Sequence, residues 1–485
     1  MASGAVSHRR FPSGRAALLN RYKQLFSNTV ILAIGTFSSK LLVFVLMPLY
    51  TRVLTQDQYG IVDLLVQTGN FLIPLVSVGI TNAVMRFGMD GETDKRSVFT
   101  TGLAAILIGF GIFVLCAPLM NKLTDIFPAM KGNVLYIYLF VLCSMLRSLS
   151  AQFVKAKQMV KLYALSGVLG TATTLLFDIL FLVVFKWGVT GYIMAMICSD
   201  FLSLLFLFIS ARLHRYIRLS YLKRDAVSNM LRYALPMIPT NAFWWITDLS
   251  DRYILTYFKG EGANGLYAVS YKIPTIMILL VGIFMDAWQI SILTETSRLA
   301  RQKFFARVFS MYQSVVFVSA SGLIVFAKVI TKILVSSGFY ESWQYIPMLI
   351  LATCFSCFVT FFGTIYVVEK KSISTLVTTI LGAVLNIIGN FLLIPKMGAQ
   401  GAALSTCISY AAVFLIRVVH THSLIPFQWN VARFGLNFLI VSLQSWILVA
   451  ETPLWILWEA LLLLVVLAVN FKTLLRSVKR VLSHG

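Results

Sequence analysis

The chain has 485 residues, of which 59% are hydrophobic and 12% charged, where a soluble domain is roughly half apolar and a quarter charged. Those proportions exclude an ordinary soluble protein. The formal charge of +23, from 41 Lys and Arg against 18 Asp and Glu, has a better cause in charge asymmetry across a membrane than in nucleic-acid binding.

In chain order, a polar leader at 1–27 precedes fourteen predicted spans of about 20 apolar residues each, the length that crosses a bilayer. They run over 28–50, 61–85, 98–119, 134–154, 161–185, 189–211, 231–257, 263–290, 309–335, 343–367, 373–394, 399–416, 434–450 and 454–471. The leader has no short apolar core before a cleavage site, so the first span is expected to remain as an anchor. Placing the N-terminus in the cytoplasm puts 29 of the 41 basic residues on the inner side, counting Lys161 and Arg232 at the inner ends of their spans, with the richest segment at Arg212 to Arg232. Both termini are therefore expected to be cytoplasmic. Of the six cysteines, Cys354 and Cys357 form a CxxC, but no second pair or nearby His completes a metal site, and packing is the expectation.

The chain repeats. Gly188-Val-Thr-Gly191 opens the sixth span and Gly398-Ala-Gln-Gly401 the twelfth, 210 residues apart, while Thr51 to Gly60 and Thr256 to Gly265 match at an offset of 205. The expected fold is an all-α integral membrane protein of about 14 helices: two pseudo-symmetric six-helix lobes around a central cavity, plus two extra C-terminal helices. The N-lobe is 28–211, a basic linker 212–230, the C-lobe 231–416, an inner loop 417–433, the appended spans 434–471 and a basic tail 472–485. Parallel repeats of this kind suit transporters that open a cavity to each side in turn. Pro74, Pro236, Pro239 and Pro274 fall inside spans, where each removes a backbone donor and can kink a helix beside a cavity.

Charges inside spans are costly, roughly 2.5–3.5 kcal/mol each on insertion scales, and here they cluster. Lys40, Arg147, Arg252 and Lys272 are the substrate-binding candidates, as cations suited to phosphate or carboxylate. Asp63, Asp178, Asp200, Asp248, Asp251 and Asp286 are candidates for ion coupling or charge pairing. Asp248 and Arg252, four residues apart, have the spacing of an ion pair on one helix face. Asn386 and Asn390 are polar cavity candidates. There is no GxxxxGK[ST], no HExxH and no acidic pair in a roomy outer loop, so ATP hydrolysis and metal-assisted hydrolysis lack their parts. No catalytic residue, metal or cofactor is expected, and a membrane glycosyltransferase or polymerase fits poorly.

The run Leu46-Met-Pro48-Leu-Tyr50-Thr-Arg52-Val-Leu54 with Tyr59-Gly60 resembles the first helix and elbow of the bacterial polysaccharide transporters. These are oligosaccharide-lipid flippases of the multidrug/oligosaccharidyl-lipid/polysaccharide superfamily. Pro236-Met-Ile-Pro239, Ser250-Asp251-Arg252-Tyr253, Gly265-Leu-Tyr267 through Tyr271-Lys272, Asn386 to Asn390, Pro395 and Gly398 to Ala403 follow in that family's order, over about 25–470. The resemblance implies flipping of undecaprenyl-diphosphate-linked sugar units across a bacterial cytoplasmic membrane before polymerisation. It also implies a cationic cavity for the anionic substrate, mapped onto Lys40, Arg147, Arg252 and Lys272 by location. A polymerase and a chain-length regulator are candidate partners, and a proton or sodium the candidate coupling ion. A drug exporter and a lipid II flippase are the alternatives, although the arginine-rich first helix of the latter is not evident.

Overall fold

The computed structural model describes residue 42 and residues 44–484, apart from 91–92, 127–129, 295–297 and 370. Among the described residues the regular structure is helical, with no strand. The α-helices are α1 (Phe44–Val53), α2 (Gln56–Val76), α3 (Ile80–Met89), α4 (Lys95–Leu115), α5 (Ala117–Ile126), α6 (Val134–Ala156), α7 (Val160–Asp178), α8 (Gly188–Ser210) and α9 (Arg224–Ala234). They continue with α10 (Met237–Lys259), α11 (Glu261–Thr294), α12 (Arg298–Val325), α13 (Ala327–Leu334), α14 (Ile346–Val368), α15 (Ser372–Met397), α16 (Ala399–Leu424), α17 (Val431–Ala450) and α18 (Trp455–His484).

Twelve helical stretches among the described residues are long and apolar enough to cross a membrane, and the chain is a multi-pass membrane protein. The expected first span falls largely outside the described residues. The expected seventh, 231–257, is two helices instead. The helix is interrupted at Leu235 and Pro236, because the proline has no backbone N–H to carry the hydrogen-bond ladder on, and α10 starts at Met237. With Asp248, Ser250, Asp251 and Arg252 in its middle, α10 is not among the twelve. The second expected span also breaks, into α2 and α3 at Val78 and Gly79, which have φ of 54° and 60°. By contrast α11 continues through Pro274.

Local sequence explains several helix starts. Thr55 and Gln58 form a reciprocal capping box at α2, each side chain meeting the other's backbone N–H at 3.2 Å, which satisfies donors the first turn leaves open. Asp94 and Asn430 cap α4 and α17. Gly188 and Gly398, at matching positions of the repeat, share a φ of +58°, a conformation in which a Cβ is disfavoured.

Packing divides into two large apolar clusters and a seam. Phe99, Phe140, Met145, Phe153 and Ile193 belong to one cluster, drawn from α4, α6 and α8. Phe309, Phe358, Phe361 and Phe414 belong to the other, from α12, α14 and α16. Between them Leu46, Tyr59 and Val62 meet Leu266, Val269 and Phe339. At this seam α2 crosses α11 at two glycines 205 residues apart. A Cβ on Gly60 would lie 3.0 Å from the Gly265 nitrogen, and one on Gly265 would lie 3.2 Å from the Gly60 nitrogen. The contact is reciprocal: Gly60 faces the Glu261 backbone and Gly265 the Gln56 backbone, as a two-fold relation between repeats requires. Asn264 Nδ2 donates to the Gly60 carbonyl at 2.9 Å across the same crossing.

Candidate functional site

Polar side chains on α10 have no water or lipid headgroup to face at mid-helix, so they must find protein partners. They do so where α2, α10 and α11 meet. Arg252, 2% exposed, donates from Nε to Asp63 Oδ2 on α2 at 2.7 Å. Its Nη1 donates to the Asp248 backbone carbonyl at 2.6 Å, and the guanidinium lies 5.0 Å from the Tyr271 ring and 5.8 Å from the Tyr267 ring. The expected Asp248–Arg252 ion pair is therefore corrected: the carboxylate that meets the guanidinium comes from the other repeat. Asp248 points its carboxylate to the Tyr271 hydroxyl, 3.3 Å away. The carboxylate of the packed neighbouring helix meets the guanidinium at Nε, while the i,i+4 neighbour on the same helix offers Nη1 only its backbone carbonyl. Lys272, one turn from Ala268 and Val269 at the seam, has Asp63 and Arg252 as its electrostatic neighbours and forms no ion pair among the described residues.

Asp251 is held differently. One oxygen accepts from Tyr267 Oη at 2.8 Å and Thr406 Oγ1 at 2.6 Å, the other from Asn386 Nδ2 at 3.0 Å and Asn390 Nδ2 at 2.7 Å. Asn386 and Asn390 stand one turn apart on α15, so one face of that helix presents both amides. Ser250 donates to Asn386 Oδ1 at 2.7 Å, while Asn390 Oδ1 is buried without a partner. This cage of α10, α11, α15 and α16 is the most completely hydrogen-bonded carboxylate in the molecule's described part.

Arg147 and Asp200 lie elsewhere, in a cavity of about 320 Å³ between α6, α7 and α8. Arg147 Nε lies 2.6 Å from Asp200 Oδ1, an ion-pair approach without hydrogen-bond alignment, and 43% of the arginine side chain is exposed. Ser144 donates to the other Asp200 oxygen. Tyr163, Ser166, Thr171, Thr174, Ser199 and Ser203 supply hydroxyls to the lining. One turn beyond Thr174 on α7, Asp178 accepts from Tyr50 Oη at 2.6 Å, and its second oxygen is buried without a partner. A π-turn, Ile179–Val184, follows Asp178 directly, and such turns often accompany functional positions in helices.

The structure thus brings Asp63, Asp248, Asp251, Arg252, Asn386 and Asn390 to the meeting of α2, α10, α11 and α15, with Lys272 beside them. Arg147 and Asp200 form a second site, and Asp178 a third contact. Lys40 lies outside the described residues, and Asp286 belongs to α11 with its side chain outside what is described. Arg417 escaped sequence reading, because the twelfth span was expected to end at 416. In fact α16 runs to Leu424, and Arg417 is buried, donating to the Val359 carbonyl at 2.7 Å and Thr378 Oγ1 at 3.1 Å. The signal was present: no glycine or proline interrupts the sequence between Gly401 and Pro426.

Three comparisons bear on this geometry. Residues 25–289 match the family described as polysaccharide biosynthesis protein. An uncharacterized membrane protein of Methanocaldococcus jannaschii is 26% identical over 212 residues, 42% of this chain and 41% of that protein. The chain therefore spans less than half the length of that curated relative. Among solved structures, the lipid II flippase MurJ in an inward closed conformation superposes with a TM-score of 0.70 at 14% identity, over 93% of this chain and 99% of that one. An inward-facing multidrug resistance MATE family transporter gives 0.63 at 15% identity, over 81% and 95%. At those identities the likeness concerns the fold: a helical membrane fold shared with these transporters.

Proposed function

The chain belongs to the polysaccharide biosynthesis protein family, and from that premise we propose that it moves undecaprenyl-diphosphate-linked oligosaccharide units from the inner to the outer leaflet by alternating access. The product would serve capsule, exopolysaccharide or O-antigen assembly. The observation that carries this reading is the Arg147 cavity. A partly exposed guanidinium can bind phosphate or carboxylate oxygens through its fixed donor fork, and the surrounding hydroxyls suit sugar hydroxyls. The polyprenyl tail would remain in lipid while the polar head passes between the lobes.

In this reading 28–211 and 231–416 are the moving lobes and 434–471 an attachment. The Asp63–Arg252 pair and the Gly60–Gly265 crossing hold the lobes together at the α2–α11 end. With the basic segments in the cytoplasm, that end faces outward. Parting of α2 from α10 would free Arg252 and leave it, with Lys272, able to meet a diphosphate. Return of Asp63 to Arg252 would then compete with the diphosphate and favour release. Asp178 and Asp251, buried acids without a cation partner in hydrogen-bond contact among the described residues, are the positions proposed for a coupling proton or sodium. Those same acids favour the second reading, a cation-coupled exporter.

The test is surface polysaccharide in a flippase-null strain complemented with each variant, normalised to membrane-inserted protein. Arg147→Ala is expected to lower polysaccharide about tenfold or more, given roughly 1.5–3 kcal/mol for a charge-assisted hydrogen bond. Arg147→Lys should fall between, because charge is kept and the donor fork is lost. Adding Asp200→Asn to Arg147→Ala controls for a stranded carboxylate and should not restore export. Full polysaccharide from well-inserted Arg147→Ala would sink the assignment of this cavity to substrate.

A further inference from the structure

The two helices outside the paired lobes, α17 and α18, are joined by buried polar side chains. Asn437 and Asn470 exchange amide hydrogen bonds, at 2.8 Å in one direction and 3.4 Å in the other. Each amide supplies one donor and one acceptor, so that neutral pair is satisfied. Further along the same interface Gln444 meets Glu459, and there the donors and acceptors do not balance. Gln444 Nε2 donates to Glu459 Oε2 at 3.1 Å and to the Glu459 carbonyl at 3.4 Å. Glu459 Oε1 and Gln444 Oε1 are both buried acceptors with no partner. The residues are 1% and 0% exposed and lie inside apolar spans.

We propose that α17 and α18 carry a proton-binding site of their own: Glu459 holds one proton as the un-ionised acid and shares it with the side-chain oxygen of Gln444. A single proton on the carboxyl turns one orphaned acceptor into a donor and gives the other orphaned acceptor the partner it lacks. The result is a cyclic acid–amide pair, the same neutral chemistry as Asn437 with Asn470. An ionised carboxylate at this place would have two acceptor oxygens, one side-chain donor and no counter-ion among the described residues, at the cost that unpaired charge carries in apolar surroundings. The charged groups on the surrounding helices are engaged or distant along the helices. Lys328 pairs with Glu451 and lies between the rings of Trp343 and Trp455, 4.0 and 4.4 Å from their centres. Arg433 on α17 bonds Ser310 of α12 and Thr473 of α18, toward the opposite end, where Lys472 and Arg307 also lie. The titratable groups nearer mid-helix are Tyr312 on α12 and Cys354 and Cys357 on α14, and Tyr312 Oη donates to the Cys357 carbonyl. None supplies Glu459 with a cation. The site belongs to the attached hairpin and uses no residue assigned above to substrate or coupling.

Infrared difference spectroscopy of the full chain in lipid nanodiscs at neutral pH tests the site. Subtracting Glu459→Gln from the natural protein is expected to show one un-ionised carboxylic-acid carbonyl band, lost in the variant. Loss of a carboxylate stretch pair instead, with the acid carbonyl region unchanged, would overturn the proposal. Gln444→Leu leaves the acid in place and removes its partner, so the same band should move to higher wavenumber as the hydrogen bond is lost. An acid band unmoved by Gln444→Leu would also overturn the proposal, because the proton would then not be shared. Should Glu459→Gln fail to insert, the Gln444→Leu comparison decides alone, by whether an acid band is present and moves. Neither result depends on transport, so failure here and failure of the flippase reading are separable.

Discussion

Arg252 shows how a single side chain can tie one repeat to the other. Its guanidinium is fully enclosed and its carboxylate partner, Asp63, sits 189 residues away in sequence. Removing one member of such a pair leaves the other charged and buried, which costs about 3–5 kcal/mol. Arg252→Ala should therefore lower the melting temperature of the purified protein strongly, and Asp63→Asn should restore much of the loss in the double variant. A double variant no more stable than Arg252→Ala would mean that the guanidinium is held mainly by the Asp248 carbonyl and the tyrosine rings. The presence of both charges was legible in the sequence, but their pairing was not. Spacing along one helix pointed to Asp248, whereas the partner was chosen by the packing of α2 against α10.

At the scale of elements, the crossing of α2 and α11 depends on the absence of side chains at Gly60 and Gly265. The repeat was readable at an offset of 205, and it correctly placed two glycines at matching positions. That these glycines touch was not readable, since internal similarity says which positions are alike and not which are neighbours. Gly60→Val should separate the helices or distort the Glu261 backbone, at roughly 1–3 kcal/mol as for other overpacked sites. The expected outcome is a lower melting temperature together with faster hydrogen exchange at the starts of α2 and α11. Unchanged exchange at both segments would show that the crossing is not tight in solution. Helix ends carried the other errors: α9 and α10 separate at Pro236, while α16 continues past the expected end and draws Arg417 into the interior.

For the whole molecule, the orientation rests on the inner-side bias of 29 of the 41 basic residues. In intact cells, a cysteine placed at Lys223 in a cysteine-free background should resist an impermeant thiol reagent, and it should react once the membrane is opened. Labelling in intact cells would reverse the orientation, and with it the side on which Asp63 and Arg252 hold the lobes together. The described residues pack as two large apolar clusters joined along α1, α2 and α11, with the Arg147 cavity among α6, α7 and α8 and the Asp251 cage against a separate, smaller cluster of Leu255, Tyr267, Ile394, Ala402 and Ala403.

Composition and periodicity alone determined that this is a helical membrane protein, because a backbone in lipid must satisfy its own hydrogen bonds and a span needs a fixed length of apolar chain. The order of motifs pointed to the family, and the repeat to a duplicated unit. Tertiary structure decided everything that depends on which helix faces which. It separated Arg147 and Asp200 from Arg252, gave Asp251 its four donors from α11, α15 and α16, and set Glu459 against Gln444. Those choices follow from contacts between segments distant in the chain, where burial removes water as a partner and each polar group must take what the neighbouring helix presents.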